Sequence, residues 1–290
     1  MAPVWTCSGL RWTPHGPVLE WDGGRRSALH QGKRVAFAVS EGAVRRCVGA
    51  RRHGCPMRAA VPGRSTGARC EECARLDRAH SVAADTVADD PRPYRVYLAW
   101  FGPGMVKVGI TAVERGSARL LEQGAVCFSW LGTGPLMAAR RTEELLRAAL
   151  QVPDRISYAD KRVVRSRLPG SEAERAEEVR ALHQRAVELD RWPESLRRMP
   201  CRVVDHMGVF GLADAPGAVG CVAELVAGGA VDGELVAAAG PDLHLAVDGR
   251  RVVVLDTRLM TGWELVPLAV GTGRFSVPVR EFVREQEGLF

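Results

Sequence analysis

The chain has 290 residues, 46% of them hydrophobic, and a formal net charge of +6. That length and apolar content allow a large core, as one elaborate domain or about two to three small ones. No run of about 18 apolar residues is present, which argues against a membrane-spanning helix. Met1 to Trp12 lacks a charged stretch followed by an apolar one, so no secretory signal is expected and a cytoplasmic location is the default.

From the N-terminus, residues 1–46 alternate apolar and polar side chains in short stretches such as Val35 to Val39. Turns are expected at Gly9, Gly16 and Gly23-Gly24, and the segment reads as a few β-strands. Cys47, Cys55, Cys70 and Cys73 then follow in a C-x7-C-x14-C-x2-C pattern. The Cys70-Glu-Glu-Cys73 turn lets two thiolates grip one tetrahedral Zn²⁺, so the four cysteines are the expected ligands of a structural zinc ion. The first pair is wider than a usual zinc knuckle, and His53 lies close enough to Cys55 to replace one ligand. Plain packing or redox work are the alternatives, and Glu71-Glu72 disfavours the thiolate that redox chemistry needs. Cys7, Cys127, Cys201 and Cys221 stand singly in apolar surroundings and read as core thiols.

Charge is unevenly spread along the chain. Residues 1–80 hold 14 Arg or Lys against 6 Asp or Glu, and the remainder 26 against 28. A basic N-terminal third suits a module that contacts a nucleic-acid backbone, and a solvated basic surface is its plain alternative. Only Lys33, Lys107 and Lys161 are lysines among 40 basic residues, the bias of a GC-rich coding sequence. Trp5, Trp12 and Trp21 read as core, with base stacking as the alternative.

Residues 82–93 are acidic, contain proline and lack large apolar groups, which predicts a linker. Tyr94 to Phe101 and Met105 to Thr111 are rich in β-branched and aromatic residues and flank Gly102-Pro103-Gly104, a hairpin connection. Thr111 is a plausible N-cap for the next helix, with Glu114 completing a capping box and Gly124 ending it. Leu136 to Leu150 is a helix by its alanine and leucine content. Residues 151–170 are basic and less regular. Ser171 with Glu174 opens a long helix that Pro193 follows. Beyond Pro200, strands are predicted at Arg202 to Asp205, Leu235 to Ala239, Leu243 to Val247 and Val252 to Leu255.

The expected fold class is α/β (α+β): a zinc-stapled, basic, β-rich module over 1–81, a linker over 82–93, a core with a long helix over 94–200, and a β-rich module over 201–290. No phosphate loop, G-x-S-x-G elbow or H-E-x-x-H motif is present. His183, His206 and His244 are isolated and read as surface or core residues.

Val96-Tyr97-Leu98, Lys107-Val108-Gly109-Ile110-Thr111 and an arginine on the following helix resemble the GIY-YIG nuclease superfamily. The resemblance implies a small sheet with flanking helices, tripeptides on adjacent strands, an arginine on the next helix, and a glutamate on a later helix that binds one metal ion. Those positions fall on Tyr97, Lys107, Arg119 and Glu143, with Mg²⁺ or Mn²⁺ as the implied ion and nucleic acid, DNA or RNA, as the implied partner. Lys107 stands where the nuclease pattern has tyrosine, and a lysine acts as a base only when burial or neighbouring cations depress its pKa. Arg115 competes with Arg119 for its role, and Glu143 can instead pair with Arg140 or Arg147 on its own helix. A non-catalytic nucleic-acid or protein interaction module is the alternative to an endonuclease.

The chain as a whole also resembles an uncharacterised bacterial family of domain-of-unknown-function proteins. In that family a cysteine-bearing segment precedes KVG(I/V)T and EQGA-type motifs, here Lys107 to Thr111 and Glu122 to Ala125. The likeness extends to the GELVAAAGPDLHL and VVVLDTR segments and covers roughly residues 5 to 275. It implies kinship without naming a reaction.

Overall fold

A computed structural model describes residues 3–51, 53–79, 90–249, 251–269 and 271–282. Strands β1 (Trp5–Thr13), β2 (Gly16–Trp21), β3 (Arg26–Ala28) and β4 (Arg34–Val39) precede helix α1 (Glu71–Ala79). The middle of the chain runs β5 (Tyr94–Trp100), β6 (Val106–Ala112), α2 (Ala118–Gln123), β7 (Cys127–Gly134), α3 (Leu136–Leu150), α4 (Tyr158–Val164) and α5 (Glu172–Glu188). It continues with β8 (Arg197–Arg198), β9 (Val203–Asp205) and α6 (Met207–Phe210). The last strands are β10 (Gly220–Val222), β11 (Ala230–Ala239), β12 (Asp242–Val247), β13 (Arg251–Asp256), β14 (Glu264–Pro267) and β15 (Val279–Glu281). The protein is thus mixed α and β, of the α+β kind, with two sheets among the described residues.

The chain divides into two compact units, Met1–Asp77 with Ala215–Phe290, and Arg78–Asp214. In the first, ten strands form one sheet in the order β15-β10-β13-β12-β11-β4-β14-β1-β2-β3. Strand β4 lies between β11 and β14, with Ala36 opposite Asp232 and Phe37 opposite Pro267. The N- and C-terminal β-segments, read from the sequence as separate modules, therefore share one sheet. Alternation reveals which face of a strand is buried, but not which distant strand it pairs with. Gly9, expected in a turn, sits inside β1 where the register with β2 shifts between Cys7 and Gly9, so it marks a bulge. The β12–β13 hairpin pairs Val247 with Arg251, and Asp248 and Gly249 in its turn are both at positive φ (53° and 69°).

The second unit holds a five-stranded sheet in the order β6-β5-β7-β8, with β9 also paired to β7. Residues Cys201 to Asp214 thus belong with the central sheet and not with the C-terminal strands. The β5–β6 hairpin forms as its turn chemistry predicts, in antiparallel register from Tyr94 opposite Ala112 to Trp100 opposite Val106. Of the expected linker, 82–89 lie outside the described residues, while Asp90 accepts hydrogen bonds from Arg92 and from the Tyr94 hydroxyl.

Helix α3 spans the predicted Leu136 to Leu150. Its buried Leu136, Ala139, Thr142 and Leu146 recur at helical spacing and seat it against β5 and β6. The α2 region departs from expectation, because β6 extends through Thr111 and the helix begins only at Ala118, with Ser117 as its N-cap. The tertiary pairing of Arg95 with Thr111 outcompetes the local capping box. Gly124 does end α2 in a left-handed conformation, φ 70°. Ser171 is the N-cap of α5 but makes no side-chain capping bond.

Cys7 and Cys127 are buried as expected, whereas Cys201 is exposed and Cys221 half-buried. His183, His206 and His244 are all core residues. His183 meets the Ser129 hydroxyl at 3.0 Å, and the ring of His206 reaches the Ala125 carbonyl at 3.0 Å. Trp12 is buried and donates to the Gly240 carbonyl, while Trp5 and Trp21 pack edge to face at 5.6 Å. No described helix is long and apolar enough to cross a membrane.

Candidate functional site

Two constellations bear chemistry, one in each unit. In the first unit Cys47, Cys55, Cys70 and Cys73 converge until their sulfur atoms all lie within 4.8 Å of one another. A tight turn, Ala50 bridged to His53, returns the chain from Cys47 toward Cys55. It depends on Gly49, where a Cβ would come within 1.9 Å of the His53 carbonyl oxygen. Cys70 immediately precedes α1 and Cys73 lies in its first turn, where the helix dipole favours thiolate.

The amides of Gly49 and Cys70 both point at the Cys47 sulfur, at 3.4 and 3.2 Å. A hydrogen bond from the Ala59 amide pulls the Cys55 thiol down to about 7, while burial, together with its sulfur neighbours, pushes Cys73 up to about 12. Four thiolates at this separation repel one another unless a cation sits among them. The donor set and closed packing therefore fit a metal ion such as zinc, for which sulfurs roughly 3.8 Å apart would satisfy bonds of about 2.3 Å. His53, the alternative ligand, is exposed and outside the cluster.

In the second unit a cleft of about 900 Å³ opens along the edge strand β6, and Tyr97, Lys107, Arg119 and Glu143 all line it. Each arrives on a different element: β5, β6, α2 and α3 respectively. Tyr97 is paired with Gly109 across the hairpin, and its ring lies over that glycine. A Cβ at Gly109 would meet the Tyr97 hydroxyl oxygen at 2.4 Å and Cζ at 2.5 Å. The Lys107 ammonium is 6.0 Å from the Tyr97 ring centre and donates to the Asp154 carbonyl at 3.0 Å.

Seven basic and three acidic residues line the cleft. Burial, reinforced by Arg119, draws the Lys107 amine down to about 8 against the pull of Glu143 and Asp154. Burial and then Asp154 raise the Glu143 carboxyl above its ordinary value. Burial also raises Tyr97, although Gln123 and Arg119 oppose the shift. Glu143 forms no salt bridge with Arg140 or Arg147 among the described residues, so the bland intrahelical pairing is not made. Arg115 and Arg119 both line the cleft, and both reach the Glu122 carboxylate, at 2.6 and 3.8 Å.

The Glu122-Gln123-Gly124-Ala125 segment now has a physical account. Glu122 fixes the two arginines, and the buried Gln123 donates to the Tyr97 hydroxyl at 2.9 Å. Gly124 supplies the left-handed helix end, and Ala125 is wholly buried. The Arg119–Glu122 spacing of i, i+3 was readable along the chain. Gln123–Tyr97 was not, because 26 residues and a strand-to-helix turn separate them. Thr111, Asp154, Arg140, Arg147 and Arg155 also line the cleft and carry no local motif that singles them out.

Fold and site together define an α+β protein with a cluster of four cysteines that could hold a metal ion and a cationic cleft. The chain belongs to the family described as protein of unknown function DUF2797, whose model matches residues 32–265, a span that holds both constellations. Comparisons with curated proteins and with solved structures returned no match.

Proposed function

We propose that the cleft of the second unit binds a nucleic-acid backbone and cleaves a phosphodiester with the help of a divalent ion, while a zinc ion in the cysteine cluster is structural. The observation that carries the reading is the convergence of Tyr97, Lys107, Arg119 and Glu143 on one cleft in which cations outnumber anions seven to three. A half-buried carboxylate that forms no salt bridge among the described residues, beside clustered arginines, is a poor arrangement for stability alone. It suits a site that receives a cation and a phosphate together.

Mg²⁺ or Mn²⁺, when bound, would supply Lewis-acid polarisation of a phosphoryl oxygen. Among the described residues the only cluster of three or more metal-ligating side chains is that of the cysteines. A divalent ion in the cleft would therefore be held through Glu143 with water filling most of its shell, as Mg²⁺ tolerates. Arg119, its guanidinium steadied by Glu122, faces the charge that develops on phosphate. Lys107 is the better base for a water molecule, since its amine loses its proton near 8 whereas burial makes the Tyr97 hydroxyl harder to ionise. Tyr97, held by Gln123, then orients the water or a phosphate oxygen.

The decisive experiment is Glu143→Gln, which removes a carboxylate at constant volume. Cleavage of DNA or RNA with Mg²⁺ or Mn²⁺ should be abolished while folding and binding persist. Unchanged cleavage would rule Glu143 out. Binding without cleavage by the parent chain, weakened by Arg119→Ala and insensitive to Glu143→Gln, would establish the non-catalytic interaction module instead.

A further inference from the structure

We propose that Lys107 is a nucleophile toward aldehydes, and that the cleft takes a phosphorylated aldehyde, the opened sugar of an abasic site in a nucleic-acid strand, as a covalent imine on the Lys107 nitrogen. The proposal rests on the reading of the cleft as a phosphate-binding site and adds a second, metal-independent activity to it.

The first ground is residue choice within the cleft. Of its seven basic residues six are arginine, and Lys107 is the single amine. A guanidinium binds phosphate at least as well as an ammonium but stays protonated and offers no lone pair. Phosphate contact therefore does not require lysine there, in a chain with only three lysines among 40 basic residues.

The second ground is geometry. Lys107 makes no salt bridge among the described residues, and its hydrogen bond goes to the neutral Asp154 carbonyl. That bond uses one N–H and leaves the nitrogen lone pair free to attack. The other two lysines are engaged elsewhere: Lys33 donates to the Ala28 carbonyl, and Lys161 is buried against the Phe101 and Tyr158 rings. Burial and Arg119 also favour the unprotonated amine, as in other lysines that form Schiff bases.

In the step itself, the Lys107 nitrogen attacks the aldehyde carbon and its proton passes to the oxygen, giving a carbinolamine. Loss of water then leaves the C=N bond. In an opened abasic sugar the phosphate ester lies β to that carbon. Transfer of the α-carbon proton to solvent water can therefore expel the phosphate as its anion with formation of the Cα–Cβ double bond, and hydrolysis of the C=N bond then releases the unsaturated aldehyde and restores the amine. No metal, oxidant or reductant enters the balance. A free triose phosphate shares this chemistry, but the cleft's volume of about 900 Å³ and its six arginines favour a strand with several phosphates.

The test traps the imine by reduction. The full chain is mixed with an oligonucleotide containing one abasic site, without added divalent ion, in sodium cyanoborohydride. A covalent adduct should form, map to the peptide containing Lys107, disappear in a folded Lys107→Arg variant and survive Lys33→Arg. Absence of an adduct, or an adduct that persists in Lys107→Arg, overturns the proposal. Equal trapping of glyceraldehyde 3-phosphate at the same concentration overturns the assignment to a strand. Because metal-dependent cleavage of intact nucleic acid is read separately on Glu143→Gln, either activity can fail without the other.

Discussion

Replacing Gly109 by alanine probes the contact that orients Tyr97. In a strand, alanine is ordinarily preferred to glycine by about 0.5–1 kcal/mol, because glycine loses more backbone entropy on folding. Here the new methyl would lie 2.4 Å from the Tyr97 hydroxyl oxygen, 2.5 Å from Cζ and 2.9 Å from Cε2. Tyr97 is 1% exposed and is held by Gln123, so its ring cannot swing into solvent. Overpacking of this kind costs about 1–3 kcal/mol, which outweighs the propensity gain and leaves a net loss of about 1–2 kcal/mol. The expected effect on Tm is a fall of on the order of 5 °C. Chemical denaturation of the full chain would measure it, and the same measurement in a Tyr97→Leu background should recover most of the loss, since the clashing ring is gone. A Gly109→Ala variant as stable as the parent would refute the placement of Tyr97 over the hairpin.

Elemental analysis of protein purified under reducing conditions should find about one zinc per chain, and Cys70→Ser or Cys73→Ser should remove it and destabilise the first unit. Metal-free protein that is fully folded would contradict this. The Lys107 amine, at about 8 in the fold against an ordinary 10.5, is charged at a cost below pH 8. The unfolded chain binds the extra proton between those values, so this residue's contribution to stability rises with pH from about 8 to 10.5 and is least favourable below that window. Lys107→Met should flatten the rise in a denaturation series across that range and stabilise the second unit at neutral pH; an unchanged slope would show the amine to be unperturbed.

The sequence alone determined the elements whose signals are local. Gly102-Pro103-Gly104 between two β-branched runs specifies a hairpin, the alanine and leucine content of Leu136 to Leu150 specifies a helix, and the C-x2-C turn places Cys70 and Cys73 side by side, because each depends only on residues within a few positions. Tertiary structure decided what those elements meet. The excess of positive charge along residues 1–80 pointed to the N-terminal third, yet by folded unit the balance is even: 19 basic against 16 acidic in the first and 21 against 18 in the second. Strand β4 finds its partners in β11 and β14, about 200 residues away along the chain. A fragment ending near Pro93 would therefore lack the strands that complete its sheet. Similarly, a family resemblance could nominate Tyr97, Lys107, Arg119 and Glu143. Only the packing of α2 and α3 against the β5–β6 hairpin brings them to one cleft and gathers Arg140, Arg147, Asp154 and Arg155 beside them. Burial and opposing charge, which set the protonation of Lys107 and Glu143, are properties of that packing and are written in no single stretch of sequence.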